Sequence, residues 1–158
     1  GWTPHNRWKS PAKVISILSE IVAKGGSLVL GVGPTPEGEI EPKSVDELKI
    51  IGNWLRANGE AIYATVPTPV YRNDDSTIWF TGNKDGKTVY GIVPQKDDTP
   101  FPATISWKGN VPVKGSKIVN LATRKALKYK TVDGVTTVTM PKDANGSNGI
   151  AMKIVTKK

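Results

Sequence analysis

Residues 10–34, SPAKVISILSEIVAKGGSLVLGVGP, decide the fold class. Val14, Ile15, Ile17, Leu18, Ile21 and Val22 recur at three- and four-residue spacing, which predicts an amphipathic helix from Ser10 to Lys24. Ser10 is placed to act as its N-cap and Pro11 opens its first turn. Gly25-Gly26 stops the helix, and Ser27-Leu-Val-Leu-Gly-Val-Gly33 follows, nearly all apolar, as a parallel strand buried on both faces would be. Such a strand cannot stand alone.

Beyond a Gly-Pro loop the pattern becomes helical again. Pro42 opens this second helix, Ser44 and Glu47 have capping-box spacing, and Val45, Leu48, Ile51, Trp54 and Leu55 form one face up to Gly59. Helix, buried strand, loop and helix is the rhythm of a parallel sheet or barrel.

After Tyr63 the period changes. Thr65-Val-Pro-Thr-Pro69 reads as a proline-punctuated linker, after which apolar residues alternate at period two. Residues 77–81 and 88–93 flank Asn83-Lys-Asp-Gly86 and predict a hairpin with Asp-Gly at the turn. Further strands are expected at 103–107, 116–120, 127–131, 135–140 and 150–155. The expected architecture is therefore α+β overall: a terminal α/β piece over residues 1–65, then an antiparallel β-sandwich of about seven or eight strands over residues 66–158.

Composition narrows the function. The 158 residues contain no cysteine, which excludes disulfides and thiolate chemistry. The longest mostly apolar run, Ser27 to Pro34, is far short of the roughly 20 residues a membrane helix needs, so no membrane partner is expected. No basic-then-apolar leader stands at the N-terminus, so a signal for export would lie upstream, with periplasmic, lysosomal or secreted locations all open. The net charge of +8 resides wholly in residues 66–158, where fifteen Lys and Arg face seven aspartates and no glutamate follows Glu60. Single lysines on strands also guard sheet edges against aggregation, so a solvated face is the simpler reading and no nucleic-acid partner is expected. No cofactor or metal is implied by any motif.

Several side chains invite a catalytic reading. Glu37, Glu39 and Glu41 alternate in the loop after the strand, but neighbours two apart on an extended chain share a face only if the chain stays regular, and an acid before a helix suits the helix N-terminus. Asp74-Asp75 and Asp97-Asp98 read as turn residues rather than a calcium site. His5 is the sole histidine, and no serine lies in a nucleophile-elbow context. Trp8 and Trp54 fall on helix faces, while Trp79, Tyr90, Phe101 and Trp107 make up either a sandwich core or a sugar-stacking platform.

Trp8-Lys-Ser10, the run Ile21-Val-Ala-Lys-Gly-Gly-Ser-Leu-Val-Leu-Gly-Val-Gly-Pro34 with Gly38 beyond it, and Ile51-Gly-Asn-Trp-Leu-Arg-Ala-Asn-Gly-Glu-Ala-Ile-Tyr63 resemble the closing part of the catalytic domain of retaining α-L-fucosidases, glycoside hydrolase family 29. Two separate motifs occur in the family's order and at its spacing. Ser27 and Gly31 replace asparagines of the family pattern, and Glu37 replaces an aspartate.

The resemblance implies that residues 1–65 are the C-terminal end of a catalytic (β/α) barrel and residues 66–158 the family's C-terminal sandwich. It implies an exo-acting enzyme taking terminal α-L-fucose from glycans, with its nucleophilic aspartate and acid/base glutamate upstream of this chain, so no catalytic residue maps here. Trp2 is the one substrate-binding candidate, in the place of an aromatic that packs against the fucose ring and its methyl group. The partners implied are fucosylated glycans and either an upstream catalytic domain or a second copy of the chain. A carbohydrate-binding or adhesive sandwich, resting on the aromatics, and a polyanion-binding domain, resting on the lysines, are the alternatives from other classes.

Overall fold

A computed structural model describes residues 8–96 and 99–157. Helix α1 spans Pro11–Ala23, with the Ser10 hydroxyl accepting from the Lys13 amide at 3.0 Å. Its end explains the double glycine. Gly25 takes φ +82°, its amide donates to Val22 O at 2.9 Å, and the Gly26 amide donates to Ile21 O at 2.8 Å, the reciprocal pair that closes a Schellman cap. A Cβ on Gly25 would stand 2.8 Å from Cγ of Pro67, so the glycine also makes room for the chain that packs against it.

Helix α2 spans Pro42–Asn58 and runs into a short 3-10 turn at Gly59–Ala61. The expected capping box is not formed. Ser44 lies inside the first turn, buried, with its hydroxyl unpartnered, because the helix starts at Pro42, three residues earlier than a Ser44 cap would need.

Among the described residues nine strands follow: β1 (Val66–Arg72), β2 (Trp79–Gly82), β3 (Thr88–Pro94), β4 (Thr104–Lys108), β5 (Ile118–Asn120), β6 (Ala126–Leu127), β7 (Tyr129–Val132), β8 (Val135–Thr139) and β9 (Gly149–Val155). They make a six-stranded sheet in the order β1-β2-β3-β9-β5-β6 and a three-stranded sheet in the order β4-β8-β7, with antiparallel pairing throughout. The expected hairpin closes at Gly86, φ +67°, whose amide donates to Asn83 O at 3.0 Å. A single strand expected at 127–131 is two, since the chain leaves one sheet after Leu127 and enters the other at Tyr129.

The stretch read as a linker is β1. Its prolines are tolerated because β1 pairs only with β2, so Pro67 and Pro69 can lack amide donors at the sheet edge.

The larger sheet is covered on both faces. Ile78, Phe80, Val89, Val93, Ile150, Met152 and Ile154 meet Ile105, Trp107 and Val138 of the smaller sheet in one core, where Phe80 and Trp107 pack edge to face at 5.5 Å. Tyr90, Ile92 and Ala151 point the other way, onto Ile15, Trp54, Ala61 and Ile62 of the helical region. This double coverage makes β2 and most of β3 and β9 buried at every position rather than at alternate ones. The two compositional halves thus share a core.

Residues 27–33 do not form a paired strand. Among the described residues they form no regular element and join no ladder, and an isolated antiparallel bridge joins Pro34 to Ile40 in the following loop. Val29 is 91% exposed and Leu30 42%. Helix α1 packs instead on β1, β2, β3 and β9.

Candidate functional site

The three motif segments come together at one end of the helical layer. Trp8, Val14, Leu30, Val32, Leu48 and Ile51 line a cleft of about 520 Å³ between the two helices and the extended segment, with Lys9, Ser44 and Glu47 at its polar margin. The cleft is open to solvent and mostly apolar, and Glu47 is the one carboxylate among its described lining residues. Retaining glycoside hydrolysis needs two carboxyl groups about 5–5.5 Å apart. Among the described lining residues only one such group is present.

The other acids do not assemble a site either. Glu37 and Glu39 are exposed and Glu41 half-buried in the loop before α2. Asp75 accepts from the Thr77 amide at 3.1 Å and from its hydroxyl at 2.7 Å; the Thr77 hydrogen bonds hold its carboxyl below the usual aspartate value against a small opposing effect of burial. That is turn chemistry. Among the described residues no cluster of three or more His, Asp or Glu is arranged to hold a metal ion. Trp2, His5, Asp97 and Asp98 lie outside the described residues.

The sandwich aromatics are core. Trp79, Tyr90 and Trp107 are 6%, 4% and 2% exposed, and Phe101 packs against the core of the sandwich, so no open ring platform exists among them. Trp79 has Tyr71 stacked beside it at 6.4 Å and the Lys24 ammonium 5.5 Å from its ring. Lys24 belongs to the Lys-Gly-Gly motif, so this contact ties the motif to the sandwich. Trp54 makes a second tie, its indole Nε1 donating to Gly149 O at 2.9 Å in the buried layer.

Glu60, the acid of the Asn-Gly-Glu-Ala-Ile-Tyr motif, makes the third, and residue-by-residue reading gave it no role. Its Oε1 accepts from the Lys153 ammonium at 2.8 Å and from the Tyr90 hydroxyl at 3.0 Å, while the Arg124 guanidinium lies 3.6 Å from Oε2. The Lys153 hydrogen bond, assisted by Tyr90 and Arg124, outweighs burial and lowers the Glu60 carboxyl below its ordinary value. Burial first, and then Glu60, push the Tyr90 hydroxyl up to about 12. The available signal was compositional: Glu60 is the last glutamate, standing just before the basic half of the chain.

Residues 1–60 match the family model described as α-L-fucosidase. The chain is 43% identical over 82 residues to an α-L-fucosidase of Branchiostoma floridae, an alignment covering 51% of this chain and 18% of that protein. It is 32% identical over 121 residues to the human tissue α-L-fucosidase, covering 76% of this chain and 25% of that one. The Thermotoga maritima α-fucosidase crystallised in complex with fucose superposes with a TM-score of 0.78 at 26% identity, over 98% of this chain and 36% of that chain. The chain thus spans about a quarter or less of these curated relatives and about a third of the solved enzyme.

Proposed function

The chain belongs to the α-L-fucosidase family, and on that premise we propose that it works as part of an exo-acting, retaining enzyme that removes terminal α-L-fucose from fucosylated glycans. In this reading residues 27–33 are a strand of a (β/α) barrel, α1 and α2 are two of its outer helices, and residues 66–158 are the sandwich that buttresses it. The aspartate nucleophile and glutamate acid/base lie in the part of the relatives' length that this chain does not span. Trp2 supplies an apolar plate for the deoxysugar, whose C6 methyl and one ring face carry no hydroxyl.

The observation that carries the reading is the state of residues 27–33. Leu28, Val29, Leu30 and Val32 are apolar and outside any strand ladder beside two helices, with Val29 91% exposed. An apolar backbone stretch with two open edges is a template for other strands, and here those strands come from the catalytic domain or from a partner copy. The fucose bound to the Thermotoga relative supports the substrate class.

The test is hydrolysis of an aryl α-L-fucoside, with the anomer of the first-formed fucose followed by NMR. The longer protein should release the α-anomer and this chain alone should release nothing. Turnover by the chain free of any longer form would overturn the assignment of the carboxylates elsewhere, and first release of the β-anomer would overturn the retaining mechanism.

A further inference from the structure

We propose that the outer face of the three-stranded sheet is a docking surface for a sulfated polysaccharide. The proposal is independent of the fucosidase reading, since it rests on charge and register alone. Residues 99–132 hold seven Lys and Arg and no Asp or Glu, the neighbouring acids being Asp133 at the β7–β8 turn and Asp74 and Asp75, which line a cleft with Lys108. Three of these cations share one face of the small sheet. Ile105, Trp107 and Val138 point into the core, with Tyr129 packed against it, so their neighbours point to solvent.

The register then orders that outer face into rows. Lys130 on β7 faces Thr137 on β8, which faces Ser106 on β4. Val132 faces Val135, which faces Lys108. One step along, the Lys128 carbonyl accepts from the Thr139 amide at 2.9 Å, and Thr139 faces Thr104. Lys128, just before β7, and Lys130 on it are therefore about 7 Å apart along one edge of the sheet, with Lys108 two strands away on the other, roughly 10 Å across. All three lysines are exposed, and none has a carboxylate within 4.0 Å among the described residues. Between them lie Thr104, Ser106, Thr137 and Thr139, with the Ser106 and Thr137 hydroxyls bonded to each other at 2.8 Å.

The chemistry of this face selects its partner. Ammonium groups at separated points suit the freely oriented oxygens of sulfate esters better than they suit planar carboxylates, for which arginine forks are the better match. The hydroxyls can exchange hydrogen bonds with sugar hydroxyls, and the exposed Val132 and Val135 offer apolar contact to sugar C–H groups. Nucleic acid is the poorer fit, because this face carries no aromatic ring on which a base would stack.

Binding of the chain to dextran sulfate, unsulfated dextran and a single-stranded polynucleotide, each over a range of salt, tests the proposal. Dextran sulfate should bind at low salt and be released as salt rises, while unsulfated dextran should not bind. Replacing Lys108, Lys128 and Lys130 together by threonine should weaken dextran sulfate binding by about tenfold or more and flatten its salt dependence. A charge-matched variant with Lys13→Gln, Lys43→Gln and Lys49→Gln on the helices should stay within about twofold of the parent. Equal weakening by both variants would reduce the effect to net charge and overturn the site. No binding to dextran sulfate, equal binding to unsulfated dextran, or tighter binding to the polynucleotide would each overturn the proposal. Unchanged thermal unfolding of the threonine variant separates lost binding from lost fold; if that variant unfolds early, Lys128→Thr with Lys130→Thr alone should still weaken binding, and its failure to do so overturns the site.

Discussion

The Glu60 carboxylate stands 2.8 Å from the Lys153 ammonium, joining the end of α2 to the last strand across 93 positions of sequence. The same oxygen accepts from Tyr90, so one acid clamps the helical layer to the two central strands of the sheet. Because pairing lowers the Glu60 carboxyl below its ordinary value of 4.5, folding favours the ionised form. Its contribution is complete above about pH 4.5 and is lost as the pH falls through the lowered folded-state value. Denaturant titrations in this acid range should show Glu60→Gln with a shallower loss of stability than the parent. Identical slopes would mean that the clamp is worth nothing.

Tyr90 gives the opposite limb. Its hydroxyl is raised from 10 to about 12, chiefly by burial, so folding favours the neutral phenol. That contribution is present below about pH 10 and disappears as the pH rises toward 12. Tyr90→Phe should flatten this alkaline decline; a decline of the parent's steepness would place its origin in other groups.

The Trp54 indole and Gly149 carbonyl form a buried bond between the two layers. Trp54→Phe retains much of the apolar bulk but leaves the carbonyl with only the Ser147 hydroxyl at 3.2 Å, and should cost about 1 kcal/mol in chemical denaturation. A change within about 0.5 kcal/mol would show that the Ser147 hydroxyl alone satisfies the carbonyl.

At the centre of the sheet Gly91 leaves no room for a side chain. A Cβ there would lie 2.8 Å from Cδ1 of Ile78 and 3.3 Å from both Met152 and Phe80. Gly91→Ala should lower stability by about 1–3 kcal/mol through overpacking. Thermal unfolding at the parent's temperature would show that the core yields more readily than its packing implies.

Val29 distinguishes the chain alone from the proposed longer enzyme. At 91% exposure, Val29→Asp should leave the chain's own stability within about 0.5 kcal/mol. In a protein where that segment is a buried barrel strand, the same change places an unpaired charge in the interior and should cost about 3 kcal/mol or more, together with activity. Equal tolerance in both settings would contradict the barrel reading.

In the proposed longer enzyme, Trp2→Ala should lower kcat/KM about ten- to a hundredfold if Trp2 backs the sugar in the transition state. Unchanged steady-state kinetics would remove Trp2 from the substrate site.

Much of this was local and therefore legible in the sequence. The helix cap at Ser10, the stop at Gly25-Gly26, the turn at Asp85-Gly86 and most of the strands depend on backbone preferences and hydrophobic period, which a few neighbouring residues decide. The family, too, was carried by short motifs in fixed order. What the sequence could not decide was partnership across distance. Pro67 and Pro69 look like breakers until β2 is seen to pair with only one of their edges, and Ser27–Gly33 looks like a core strand until no neighbour is there to pair with it. Whether Trp79 and Trp107 offered rings to a sugar depended on which faces were covered, Trp79 by Tyr71 and Lys24 and Trp107 by Phe80 of the larger sheet, and Glu60 gained its role only when Lys153 and Tyr90 were folded against it. Each of these outcomes depends on what lies on the far side of a strand or helix, and an amphipathic pattern records that a face is buried without recording against what.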